Sequence, residues 1–151
     1  MTVVLTPIGK VMNTRKTPVD DNWSGILSEI EIAKHLSVES LGNITDFSHL
    51  EIIYYFDKVA DDTIILSGKP RGNERYPVMG IFAQRKKNRP NKIGLCTVEL
   101  IALNGRIITV KNLDAIDGTP VLDIKPVMKE FEPTTQIRQP EWATDMMKNY
   151  W

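Results

Sequence analysis

A chain of 151 residues with 42% hydrophobic and 25% charged content, no net charge and a pI near 6.7 is long enough for one core, because a domain of this size buries about 70% of the surface its unfolded chain exposes. The balance excludes a broadly basic nucleic-acid binder, and no apolar stretch approaches the roughly 20 residues of a membrane-spanning helix. The single Cys96 leaves no internal disulfide, and the first residues carry neither an apolar h-region nor a small-residue cleavage site, which predicts a cytoplasmic protein.

Short strands dominate the expected order. Residues 3–5 and 8–12 are β-prone pieces on either side of Pro7, and 26–32 alternates apolar and polar with period two. Residues 37–47 have helix-compatible spacing broken at Gly42 and Asn43, so a short helix or helical loop is expected there before a strand over 50–56. Runs at 63–67 and 78–83 are further candidate strands. The loop between them, 69–77, is rich in Gly, Pro and Arg and is a candidate ligand flap. Asn104-Gly105 between apolar runs at 93–103 and 106–110 predicts a hairpin with a type I′ turn, whose central residues need positive φ. Pro140 opens a predicted C-terminal helix carrying Trp142, Met146 and Tyr150 on one stripe, which docks on the body or on a second copy.

About seven short strands with few helical patterns point to an all-β fold: a small single-sheet antiparallel barrel with a short helical segment and a C-terminal helix. The whole chain, 1–151, reads as one domain, with the barrel core over about 3–127 and a polar, Pro-punctuated tail and helix over 128–151.

Charge is unevenly spread. From Lys69 to Lys92 eight basic residues face one acid, Glu74, so that segment is strongly positive and the remainder equally negative. It is either a solvated charged face or a local phosphate-binding surface on an acidic body. Two phrases set charged groups in turns framed by Gly and Pro: Phe82-Ala83-Gln84-Arg85 leading to Arg89-Pro90-Asn91-Lys92-Ile93-Gly94-Leu95, and Asp117-Gly118-Thr119-Pro120-Val121-Leu122-Asp123-Ile124-Lys125-Pro126. Side chains held this way are suited to binding or reaction.

Common catalytic patterns are missing. His35 and His49 are the only histidines and have no zinc-ligand spacing, so no metal is expected and both are read as structural or exposed. Cys96 shares a strand face with Gly94, Val98 and Leu100, which reads as a buried, inert thiol. No Rossmann fingerprint, P-loop or G-x-S-x-G elbow occurs.

The two phrases also carry a resemblance. Together with Phe47-Ser48-His49-Leu50, Met79-Gly80-Ile81, Val98-Glu99-Leu100, Leu113-Asp114 and the opening Ile8-Gly9-x-Val11, they make a chain that resembles the TsaA-like (TrmO) family over roughly residues 8–127. The resemblance implies a small β-barrel, a homodimer, S-adenosylmethionine as cofactor, and methylation of the exocyclic nitrogen of threonylcarbamoyladenosine beside a tRNA anticodon. By position it assigns cofactor contacts to Trp23, Ser24, Gly25, Phe56, Asp57, Arg85, Leu95, Asp114, Ala115, Ile116 and Asp117.

Within that frame Asp114 and Asp117 would hold the cofactor's ribose or amino acid end or face its sulfonium, and Arg85 and Arg89 would grip its carboxylate or an RNA phosphate. Asp123 is the candidate general base, with Lys125 and Asn91 as further catalytic candidates. Arg71, Arg75, Lys86, Lys87, Arg89 and Lys92 are the candidate tRNA contacts. The sequence departs from the family pattern in its Asn22-Trp23-Ser24-Gly25 turn, at Lys92 and Val127, and in lacking the extra C-terminal domain of bacterial tRNA-modifying relatives. A small-molecule acceptor, or a cofactor- or RNA-binding module without catalysis, is the alternative.

Overall fold

A computed structural model describes residues 1–151. Eight strands form: β1 (Gly9–Met12), β2 (Leu27–Ile32), β3 (His49–Tyr55), β4 (Ser67–Gly68), β5 (Met79–Gly80), β6 (Ile93–Asn104), β7 (Ile107–Lys111) and β8 (Pro120–Pro126), followed by one helix, α1 (Glu141–Met147). Six of them close a barrel in the order β1-β2-β7-β6-β3-β8, every pairing antiparallel. Closure leaves no free sheet edge.

Alternation along the strands fills this barrel. In β2, Leu-Ser-Glu-Ile-Glu-Ile, every second residue is buried, and the inward set of Val11, Ile30, Leu50, Ile52, Val98, Ile108, Val110 and Val121 is at most 1% exposed. A six-stranded barrel is narrow enough for side chains alone to occupy its interior. Leu41 plugs one end, carried by a 3₁₀ turn at Val38–Leu41 whose N-terminus is capped by the Ser37 hydroxyl. A second 3₁₀ turn, Ile44–Asp46, follows Asn43 at φ 60°, so the expected helical loop is two tight turns split at Gly42 and Asn43.

Several expectations are corrected. Residues 3–5 form no strand and stay exposed, because nothing in the closed barrel offers them an edge. The candidate strands at 63–67 and 78–83 shrink to a two-residue ladder, Ser67 opposite Gly80 and Gly68 opposite Met79, followed by a 3₁₀ turn at Ile81–Ala83. The barrel strand that pattern reading passed over is β8, where Pro120, Asp123, Lys125 and Pro126 mask the alternation. A register shift against β3 between Ile53 and Tyr54 lets Asp123 face Ile53 while Val121 faces Tyr54. In the β6–β7 hairpin Asn104 pairs with Ile107, so Gly105 and Arg106 form the corner. Positive φ falls on Gly105 alone, at 59°, the pattern of a type II′ turn.

Strand directions bring the loops at 13–26, 56–92 and 112–119 to the end of the barrel opposite Leu41. α1 reaches that same end. Trp142 packs on Tyr76 with ring centroids 6.2 Å apart, and Tyr76 donates to Asp145 at 2.7 Å. The helix stops at Met147, so Tyr150 lies beyond the predicted stripe. Residues 128–141, which lead to it, are exposed throughout.

Candidate functional site

The end of the barrel opposite Leu41 is organised around Asp114, in the loop after β7. Its half-buried carboxylate accepts two phenol hydroxyls, Tyr54 on Oδ1 at 2.7 Å and Tyr150 on Oδ2. No salt bridge in the structure includes it. Burial, with the Asp114 charge added to it, pushes the pKa of Tyr54 and of Tyr150 far above the ordinary phenol value. Both therefore stay protonated donors at any working pH.

Tyr54 is inward on β3, and Phe56 meets its ring edge-on at 5.3 Å. Gly94, its partner on β6, has no side chain because the Tyr54 ring fills the space where one would stand. Cys96 is 4% exposed and donates toward the Asn112 carbonyl at 3.2 Å. Burial and Asp114 push its thiol well above the ordinary value, as expected of an inert cysteine.

The 22–25 turn lies against the same end. Gly25, at φ 75°, donates its N–H to Asn112 Oδ1 at 2.8 Å. Trp23 is 3% exposed, with the Arg15 guanidinium 4.4 Å above its ring. Ser24 is exposed. Asn22 and Trp23 donate backbone N–H groups to the carbonyls of Asn149 and Tyr150 at 3.0 and 2.8 Å.

Asp117 does a different task. It accepts the Asn13 N–H at 3.0 Å and pairs with Lys16 at 2.8 Å, and the Lys16 ammonium followed by the Asn13 bond holds its carboxyl below the ordinary value. Ala115 is buried and its carbonyl accepts from Asn13 Nδ2 at 2.8 Å, while the Ile116 carbonyl closes a turn with the Thr119 hydroxyl at 2.7 Å. Asp57 is exposed beside Lys58 at 3.5 Å.

The remaining candidates lie on the outer wall. Arg85 is exposed and donates to the Leu95 carbonyl at 2.5 Å. Leu95, 41% exposed, pairs across to Ile53, which pairs in turn with Asp123. Asp123 is tied on both oxygens, to the Ile124 N–H at 2.9 Å and to Lys125 at 3.1 Å. Asn91 is exposed in the turn closed by the Lys92 N–H on the Arg89 carbonyl.

The basic segment divides. Arg71, at φ 52°, forks onto Asp21 at 2.8 and 3.1 Å; Lys92, at φ 50°, pairs with Asp61 at 2.5 Å and donates to the Val59 carbonyl; Arg89 donates to the Gln84 carbonyl at 2.9 Å. These three hold the 57–92 excursion in shape, and with the Tyr76 and Lys69–Glu74 contacts they anchor the loop expected to be a flap. Arg75, Lys86 and Lys87 have no salt-bridge partner.

Residue reading singled out neither Tyr54 nor Tyr150 as part of a site, nor Asn13 and Asn112 as its braces. The usable signal was Tyr54, because a buried tyrosine on an inward strand position needs an acceptor for its hydroxyl.

Comparison with known proteins places this geometry. Residues 10–133 match the tRNA-methyltransferase O N-terminal domain. A probable S-adenosyl-L-methionine-binding protein of Archaeoglobus fulgidus is 39% identical over 114 residues, covering 76% of this chain and 30% of its own length. An S-adenosyl-L-methionine-binding protein of the same organism is 34% identical over 139 residues, 89% of this chain and 96% of its own. The human tRNA (adenine(37)-N6)-methyltransferase is 36% identical over 104 residues, 67% of this chain and 23% of its own. The crystal structure of TrmO from Pseudomonas aeruginosa superposes with a TM-score of 0.75 at 24% identity, covering 93% of this chain and 61% of that one, which establishes the shared fold. The chain thus spans a minor part of some relatives and nearly the whole of another.

Proposed function

This chain belongs to the tRNA-methyltransferase O N-terminal domain family, and on that premise we propose that it is an S-adenosylmethionine-dependent methyltransferase acting on the exocyclic nitrogen of threonylcarbamoyladenosine beside a tRNA anticodon. The observation that carries the cofactor assignment is Asp114, a half-buried carboxylate with two phenol donors and no cationic partner. A ligand bearing a sulfonium and an ammonium group supplies the missing positive charge, and the rings of Tyr54 and Tyr150 on the carboxylate, with Phe56 edge-on to Tyr54, favour the same sign. Arg85 offers an exposed guanidinium to the ligand's carboxylate. The donor set fits this cofactor and includes no metal-binding cluster.

When bound, S-adenosylmethionine supplies a methyl carbon activated by its positive sulfur. The chain's own contribution is to orient that group and to relieve the acceptor nitrogen of its proton. Asp114 and the turn containing Trp23, Ser24 and Gly25 fix the ligand at the barrel mouth, and Arg85 with Leu95 bounds it from the wall. Asp123, in line with Leu95 across Ile53, is proposed as the proton acceptor, with Lys125 and Asn91 placing the acceptor base.

Two further parts of the reading rest on surface properties. Arg75, Lys86 and Lys87 are the cations free for tRNA phosphates, and the human relative's name supports tRNA as the acceptor. Leu66, Val78, Phe82, Ile93 and Leu95 are exposed large apolar residues on and beside the 57–92 excursion, and we assign them to a homodimer interface.

The relative matched over nearly its full length is named a binding protein, which favours a second reading: cofactor binding with a small acceptor or with none. Calorimetry with S-adenosylmethionine tests the cofactor, and mass spectrometry of tRNA nucleosides incubated with protein and cofactor tests the acceptor. No heat at millimolar cofactor overturns both readings; heat without a new methylated nucleoside leaves the second.

A further inference from the structure

Tyr150 bonds to both halves of the barrel mouth. Its carbonyl accepts the Trp23 N–H at 2.8 Å and its hydroxyl donates to Asp114 Oδ2, while its neighbour Asn149 accepts the Asn22 N–H at 3.0 Å. It therefore spans from the 22–25 turn to the loop after β7, two segments otherwise joined here at Asn112, whose side chain accepts the Gly25 N–H and whose own N–H donates to the Ile26 carbonyl at 3.0 Å. Asn149 and Tyr150 lie outside the shared family domain, whose match ends at residue 133, while the groups they bond to lie within it.

The segment that delivers Tyr150 is built for docking at this place. Residues 128–141 are exposed, and contact with the body resumes through Trp142 on Tyr76, the Tyr76–Asp145 bond and the pair of backbone bonds to residues 22 and 23. Trp151 stacks edge-on against Tyr150 at 5.0 Å and is 54% exposed, so it presents an indole at the rim of the mouth. Each carboxylate oxygen has two lone pairs. Asp114 Oδ2 can thus hold the Tyr150 hydroxyl and still face a ligand.

We propose that Tyr150 is a positioning residue for cofactor binding: carried by the 141–151 segment, it fixes the Asp114 carboxylate and the 22–25 turn in the arrangement that receives S-adenosylmethionine. With only Tyr54 donating, the Asp114 side chain keeps one tether and rotates about it; with both, its plane is set before the ligand arrives. Preorganisation of this kind acts on affinity. The inference rests on the cofactor reading above.

The test is calorimetric titration of S-adenosylmethionine into wild type, Tyr150→Phe, Asp114→Asn and the double variant. Tyr150→Phe should weaken binding about tenfold, the scale of one hydrogen bond to a charged group. In the Asp114→Asn background the same substitution should cost less than twofold, a coupling that a purely structural role of Tyr150 would not produce. Amide exchange without cofactor gives an independent readout: Tyr150→Phe should speed exchange at Gly25 and across 112–117. Wild-type binding matched within twofold by Tyr150→Phe overturns this inference and leaves the cofactor reading intact. A wild type that does not bind, but whose amide exchange responds to Tyr150→Phe, overturns the cofactor reading and retains the brace as structural.

Discussion

The ring of Tyr54 stands where a side chain at Gly94 would have to be, on the neighbouring strand of the same barrel. The absence of a Cβ at position 94 is what allows the phenol to lie inward and reach Asp114. Gly94→Ala should destabilise the protein by about 1–3 kcal/mol, the usual scale for overpacking. Because the displaced ring carries its hydroxyl away from Asp114, cofactor affinity should fall as well. Denaturant unfolding and cofactor titration on the same sample check both; an unchanged midpoint would mean that the ring has room to move.

Asp114→Asn keeps the shape of the acceptor and removes its charge. The expected result is at least a tenfold loss of S-adenosylmethionine affinity, since a charged hydrogen-bond partner or paired ion is worth roughly 1.5–3 kcal/mol. Melting temperature should change little, because the Asn oxygen still accepts one phenol hydroxyl and its Nδ2 donates to the oxygen of the other. Equal affinity for variant and wild type would remove Asp114 from the site.

The Asp117–Lys16 contact makes an acid-sensitive link between the 13–16 loop and the barrel. Lys16 and the Asn13 N–H hold the folded-state value of Asp117 below its unfolded one, so the unfolded chain binds the proton more readily and the stabilisation is present above the unfolded value near pH 4. It is lost as pH falls through the lower folded value. Asp117→Asn should therefore lower the melting temperature at pH 7 and make almost no difference near pH 2. A gap that persists at pH 2 would assign the effect to shape rather than charge.

How much of this was legible beforehand depends on which force wrote each part. Period-two alternation in β2, β3, β6 and β7 reports burial directly, and those strands and the barrel class follow from it. β8 hides because its bulge shifts register and its outward face carries Asp123 and Lys125 between two prolines. The cofactor candidates were reached through resemblance, and the barrel gathers Trp23, Gly25, Phe56 and Asp114 at one end while leaving Arg85, Leu95 and Asp123 on the wall. Tyr150 was visible only as part of a helical stripe. Its contact with Asp114 depends on the helix ending at Met147, a boundary that stripe spacing does not encode.

Cys96 gives a direct check on the packing around the mouth. With 4% exposure and a thiol pushed far up by burial and by Asp114, it should resist alkylation at pH 8 in the native protein and react only on unfolding. Rapid labelling of the native protein by iodoacetamide, followed by mass spectrometry, would show that the end of the barrel opens.

The unpaired cations Lys86 and Lys87 separate an RNA acceptor from a small one. Replacing both with Ala should weaken tRNA binding and reduce its dependence on salt, with cofactor affinity unchanged, because fewer counterions are released on association. Wild-type binding to tRNA that is undetectable, or indifferent to salt between 50 and 200 mM, would direct the search to small acceptors.

The exposed stretch over 128–141 makes docking of α1 and Tyr150 a binding reaction between two parts joined by a tether. Its strength is set by the local concentration that the tether imposes, in the millimolar range for short flexible linkers, as well as by the contacts at the mouth. Lengthening the stretch with Gly and Ser would dilute the segment around its own barrel and weaken closure without altering one contact. Shortening it below the span would prevent a chain from closing its own mouth and would drive exchange of the segment between two copies.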